Sequence, residues 1–248
     1  MEVSIPPAAP KEKENIMRLG FYGDSTACWT LRPINKFKPF IEEEKGSFID
    51  TICKKYKAMC VAKGTAEGSI ERILVTLKKT KKIDFAFIFY SSPSRFYLPH
   101  TDRDIDIGDF DKFFSDKKAN YLFNIQKQNS EKLKEDFDNI EDFIRTMSLY
   151  KKYLYDPDVH LNRWYGSLVQ IDQYITAKNI PCVHIINKNL MPKWFKFSSG
   201  IVAHEIYDLC KQNYERSLPN NISEQGQHLI ADALIKLVDK FTNNSSRL

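Results

Sequence analysis

Residues Phe85-Ala86-Phe87-Ile88-Phe89 are an unbroken apolar run, closed by Ser91-Ser92-Pro93. A short, aromatic-rich run bounded by turn residues reads as a strand, here predicted over 83–90. A strand with one wet face alternates apolar and polar positions. A strand with no polar position needs cover on both faces, as in a parallel sheet held between layers of helix. The flanking segments supply such layers. Ile16 to Tyr22 is a second apolar run and predicts the first strand. Residues 47–57 predict a helix with Phe48, Ile49, Ile52 and Tyr56 on one face. A strand over 58–62 follows, then a helix beginning at Ser69 with Ile70, Ile73, Leu74 and Leu77 at helical spacing. This strand–helix–strand order favours a parallel sheet with right-handed crossovers.

The second half continues the rhythm after an interruption. Residues 158–178 predict a long helix carrying Trp164, Leu168, Ile171 and Ile175, and 182–186 a strand. Residues 192–199 read as a loop or short edge strand. Helices are expected over 203–214 and 223–241, the last burying Leu229, Ile230, Ala233, Leu234, Leu237, Val238 and Phe241. Between the halves, residues 96–155 fit no simple crossover. Asp alternates with Ile over 102–111, but the ligand spacing and terminal Glu of a calcium loop are missing, so a solvated loop is expected. Residues 121–155 read as mostly charged helix with a narrow apolar stripe, Ile140, Phe143, Ile144 and Met147. It is expected to be an insertion that covers a site or meets a partner. The organisation is therefore an N-terminal arm over 1–15, one α/β domain over 16–241 with the insertion at about 96–155, and a tail over 242–248.

Charge and cysteine content remove several function classes. A net charge of +5 in 248 residues is mild, and the lysines at 54–55 and 78–82 are offset by Glu42-Glu43-Glu44 and the Asp-rich stretch, so no nucleic-acid partner is expected. Cys28, Cys53, Cys60, Cys182 and Cys210 contain no C-x-x-C pair, which argues against a zinc ribbon, a metal site or a disulfide framework. They read as buried thiols in a reducing compartment. No cofactor motif is present. No apolar run reaches membrane-spanning length, and residues 1–15 lack a signal-peptide core. A cytoplasmic protein, or one assembled into a larger particle, is expected, with the Pro-rich arm or the insertion meeting a protein partner.

The first strand ends in Gly23-Asp24-Ser25. Glycine permits a sharp bend, and a serine at the carboxyl end of a strand stands where open α/β sheets bind ligands. The alternative is that Asp24 or Ser25 only caps a helix. Two further segments accompany the triplet: Ala62 to Ser69, with Gly64 and Gly68, after the second strand, and Pro219 to Gly226 before the last helix. In order and spacing over residues 16–241, these blocks resemble the SGNH (GDSL) hydrolase superfamily.

The resemblance implies a flavodoxin-like three-layer α/β/α sandwich with four or five mainly parallel strands. It implies Ser25 as nucleophile of an ester hydrolase acting on a small or carbohydrate ester. The amide of Gly68, or of Gly64, would donate to the oxyanion, although both glycines may be read equally as shaping a turn. Two blocks depart from the pattern. Where the family has Gly-x-Asn-Asp, this chain has Ser91 to Arg95, so Ser91 or Arg95 would replace the asparagine as donor. Arg95 is alternatively a partner of Asp102 or Asp104. Where the family has its catalytic His, counting back from Gly226 gives Asn221, and the Asp position holds Leu218. An asparagine cannot take the serine proton near neutral pH. Among the other histidines, His100 and His204 are candidate bases, His184 reads as core, His160 as surface, and His228 lies past the expected position. Two readings follow: a serine esterase with an impaired or unusual base, or a catalytically inactive module of a larger assembly such as a virus particle.

Overall fold

The structure, a computed structural model, describes residues 16–23, 47–62, 64, 68–98, 103–106, 140–215 and 221–245. Its centre is a five-stranded sheet made of β1 (Arg18–Tyr22), β2 (Met59–Ala62), β3 (Phe85–Phe89), β6 (Cys182–Ile185) and β7 (Ile201–Val202). Every pairing in it is parallel. The spatial order is β2-β1-β3-β6-β7. Counting only the strands of this sheet, that is the doubly wound, flavodoxin-like order, in which the winding direction reverses between β1 and β3.

Helices cover both faces. On one side α1 (Phe48–Lys55), α5 (His204–Gln212) and α6 (Glu224–Ser245) pack on Leu19, Phe21, Phe87 and Phe89. On the other, α2 (Ile70–Lys79) and α4 (Pro157–Ala177) pack on Tyr22, Ala86, Ile88 and Tyr90. All five residues of β3 are buried, as their unbroken apolar character requires. The two core faces are chemically distinct. The α1 side is a stack of aromatic rings, with Phe21 lying 4.7 Å from Phe87 and nearly parallel to it. The α4 side is built around Trp164.

Helix starts follow local capping chemistry. Ser47 Oγ accepts from Asp50 N, and Ser69 Oγ accepts from Arg72 N at the start of α2. Asp156 accepts from two amides of the first turn of α4, and Pro157 occupies that turn, where its missing N–H costs nothing.

Three expectations need correction. Residues Arg103–Asp106 are β5, antiparallel to β4 (Arg95–Leu98), and not a solvated loop; the alternation of Asp and Ile is the period of a strand. Residues 192–199 are a loop, one of the two readings given above, and the edge strand is Ile201–Val202. Leu229 is 42% exposed, because the buried stripe of α6 runs through Ile230, Ala231, Leu234 and Val238 instead. The last helix continues to Ser245, its polar final residues adding a turn beyond the apolar stripe. The insertion also contains α3 (Ile140–Tyr153), and the side chains of its expected apolar stripe lie outside the described residues. The remaining two strands, β8 (Tyr214–Glu215) and β9 (Asn221–Ile222), form a small antiparallel pair. Among the described residues, no helix is long and apolar enough to cross a membrane.

Candidate active site

The winding reversal puts the carboxyl ends of β1 and β3 side by side, the crevice where open α/β sheets hold ligands. At the end of β1, Gly23 has φ 152°, a conformation that a residue with a Cβ rarely adopts, so the glycine of Gly23-Asp24-Ser25 is required by its backbone. Asp24 and Ser25 lie outside the described residues, one and two positions beyond it.

The second block stands at the carboxyl end of β2. Gly64 is half-buried, and Gly68 is buried directly ahead of Ser69, the cap of α2. The first turn of that helix carries amides with no intrahelical acceptor, and its positive dipole end favours negative charge nearby. The third block turns tightly after β3. Arg95 N donates to Ser92 O, and the hydroxyls of Ser92 and Ser94 lie 2.8 Å apart. Ser91 is 1% exposed; its carbonyl accepts from Trp164 Nε1 at 2.9 Å, while its Oγ is buried without a hydrogen bond among the described residues. The antiparallel register places Arg95 opposite Asp106, and Asp104 opposite Tyr97. Asp102 lies outside the described residues.

Two residues that sequence reasoning missed tie these blocks together. Arg163 of α4 lies 2.8 Å from Glu71 in the first turn of α2, and also donates to the carbonyl of Arg95. It thereby fixes the second block to the third. Nothing in the sequence pairs position 163 with 71; only the adjacent Trp164, on the apolar stripe, hints that this stretch of α4 faces the site.

The last block is anchored at the same end of the sheet. Phe48 N, in the first turn of α1, donates to Gln227 Oε1 in the first turn of α6. Because α1 returns the chain to the start of β2, both helix N-termini lie at the carboxyl end. Ser223 N donates to Asn213 O, and Ser223 Oγ accepts from Gly226 N. A Cβ on Gly226 would press on Asn213 and come within 2.6 Å of Ile222, so the turn into α6 is packed too closely for a larger residue. The backbone of Asn221 belongs to β9 in this anchored turn. Leu218 lies outside the described residues.

The histidines separate clearly. His100 lies outside the described residues. His204 opens α5, half-buried, with Nδ1 2.8 Å from Ile186 O. A carbonyl only accepts, so Nδ1 carries a proton and donates it there. This histidine opens the helix that follows β7, and Ser25, whose base it would be, lies outside the described residues. His228 is exposed on α6. His160, expected on the surface, is buried, with its Nε2 3.3 Å from Tyr150 Oη and its ring against Tyr155; burial holds its pKa below the usual histidine value.

His184 is core, as expected, and 0% exposed. Its Nε2 lies 3.0 Å from Ser199 O and must donate there, so Nδ1 accepts from the Tyr90 hydroxyl at 2.9 Å. Phe197 stacks on its ring at 3.7 Å. Burial holds this imidazole at a pKa of about 4 and pushes the adjoining Cys182 thiol up to about 12. The pair is therefore neutral, with neither an activated thiolate nor an imidazolium. Among the described residues, no group of three or more His, Cys, Asp or Glu side chains is placed to hold a metal ion.

No protein-family model matches the chain, and no curated protein matches it in sequence. Solved structures resemble it in overall shape. The psychrotrophic esterase EstA from Pseudoalteromonas sp. is 9% identical, with 91% of this chain and 98% of the esterase covered at a TM-score of 0.44. A lipase/acylhydrolase from Enterococcus faecalis is 12% identical, covering 89% and 94% at 0.34. A protein assigned to the G-D-S-L lipolytic family in Desulfitobacterium hafniense is 11% identical, covering 89% and 99% at 0.33. At these scores the likeness carries no argument about chemistry, which rests on the residues of this chain.

Proposed function

We propose that the chain is an SGNH-type serine ester hydrolase, with Ser25 as nucleophile and a small ester, such as an O-acylated carbohydrate, as substrate. The observation that carries this reading is Gly23: a glycine-only turn closes β1 at the winding reversal, immediately ahead of Asp24-Ser25. In the reaction, Ser25 Oγ bonds to the acyl carbon and its proton leaves with the alkoxy group. Water then releases the acid and restores the serine. Negative charge develops on the carbonyl oxygen, and the amide of Gly68, ahead of the N-terminus of α2, suits that charge. The Ser91 hydroxyl or the Arg95 guanidinium supplies the donor that the family takes from asparagine. Arg163 and Glu71 act as positioning residues for both segments.

Proton removal is the weak step. Asn221 occupies the position of the family's histidine and has no basic nitrogen. Turnover of generic short-chain esters is therefore slow or absent in this reading. That same residue favours a second one: an SGNH-like module that has lost catalysis and serves as a binding or structural part of a larger assembly, such as a virus particle. Labelling with a fluorophosphonate separates them. Fast modification that is abolished in Ser25→Ala supports a working serine with a base elsewhere. Labelling no faster than that of a free serine, in folded protein, overturns the enzyme reading and leaves the module.

A further inference from the structure

Away from the crevice, a groove of about 680 Å³ runs between the edge strand β2 and the adjoining face of α2. Its cations are Arg72, Lys79, Lys81 and Lys82, while Arg18 is held in an ion pair by Asp84 at 2.6 Å, and none of the described residues lining it is acidic. Its floor is apolar, formed by Met59, Val61, Ala62 and Val75. Met59 is 51% exposed, large for an apolar side chain at a sheet edge. Among the described residues the strand beneath is paired on one side only, to β1. An edge strand of this kind is a template for another strand.

We propose that this groove binds an acidic, extended segment of a protein partner, which joins the sheet as a strand beside β2. Three features converge on that class of ligand. Main-chain groups of an edge strand recognise extended backbone. Alternate side chains of an added strand point to one face, so apolar residues can meet Met59 and Val75 while carboxylates reach the lysines. The uniform positive lining favours an acidic segment and speeds its encounter. A free phosphate polymer would use the cations and leave the apolar floor unexplained. Lysines also guard edge strands against chance pairing, and part of the C-terminal charge of α2 offsets the helix dipole. Neither role requires an apolar groove under the lysines.

The experiment uses the full chain and a fluorescent peptide alternating glutamate with valine, read by anisotropy. Saturable binding is expected, weakened at least about tenfold in the Lys79→Glu/Lys82→Glu variant, since like charges replace opposite ones across the contact. Both lysines are exposed or project from surface positions, and an unchanged thermal midpoint verifies the fold. Met59→Asp should weaken binding independently through the floor. Absence of saturable binding, or binding indifferent to these variants, overturns the proposal and leaves the lysines as guards of the edge. Tighter capture of an oligothymidylate or of anionic phospholipid vesicles than of the peptide, lost in the same lysine variant, also overturns it, by assigning the groove to phosphate.

Discussion

Lowering the pH from neutral to about 4 should unfold this protein partly through one residue, His184. In the folded state its imidazole is buried, its Nδ1 already holds the Tyr90 hydroxyl proton, and its pKa is about 4. In the unfolded chain the value is that of a free histidine, about 6.5. Between these values the unfolded state binds the proton and the folded state does not. The stability contributed by a neutral His184 is therefore complete above about 6.5 and is lost as pH falls towards 4. A difference of about 2.5 pKa units corresponds to on the order of 3 kcal/mol, a large part of the stability of an ordinary domain. Tyr90 and Cys182, which touch the ring, are both held neutral by burial and do not titrate in that window. The buried Asp172 attracts an imidazolium only weakly, its carboxylate being spent on Ser198 N and Oγ. Urea unfolding at pH 7, 6, 5 and 4 measures the slope. His184→Gln can still accept from Tyr90 and donate to Ser199 but cannot titrate, so it should be less stable at pH 7, through lost stacking on Phe197, and yet lose less on acidification. An identical acid slope in the variant and the wild type would refute the reasoning.

Other consequences are more local. Gly200 has φ 84°, and a Cβ there would lie 2.7 Å from Cys182 O and against its sulfur, so Gly200→Ala should cost about 2 kcal/mol or more, read as a lowered urea midpoint. Arg163→Ala should destabilise by about 1 kcal/mol by stranding Glu71, and Glu71→Gln added to it should recover part of the loss in a double-mutant cycle. Cys182, buried with its thiol pushed up to about 12, should resist iodoacetamide at pH 8 until the chain unfolds, whereas the half-buried Cys53 and Cys60 should react first, as peptide mapping would show.

The sheet was legible because its signals are local. Phe85 to Phe89 could only be a strand covered on both faces, and the helices expected from Ser47 and Ser69 do start there, each serine capping the first turn. The chain order of the blocks also matches the fold in that Gly23, Gly68 and Ser91 each follow a strand of the parallel sheet, β1, β2 and β3. What failed depended on distant partners. Asp104-Ile105-Asp106 reads as a solvated loop once a calcium loop is excluded, since a strand rich in Asp is disfavoured on its own; pairing with Arg95–Leu98 supplies what local preference lacks. His160 reads as surface at the start of a charged helix, and only packing of Tyr150 and Tyr155 against it takes it inside. Leu229 fits the apolar count of α6 but falls just off the stripe. Arg163 and Glu71 are ordinary charged helix residues in sequence, and their pairing across two helices is invisible until the layers are assembled.

The central claim is that Ser25 heads an SGNH-type site whose missing part is the base. Ester hydrolysis by wild type, Asn221→His and Asn221→His/Leu218→Asp, each with and without Ser25→Ala, tests it most directly. Because the turn into α6 is fixed by Ser223, Gly226 and Gln227, a histidine at 221 enters an anchored backbone. The account predicts a gain on the order of a hundredfold in Asn221→His. It should increase as pH rises through about 6.5, where the new imidazole becomes neutral. A further gain is expected with Leu218→Asp, and complete loss with Ser25→Ala. A folded Asn221→His protein with no Ser25-dependent gain at any pH would contradict it.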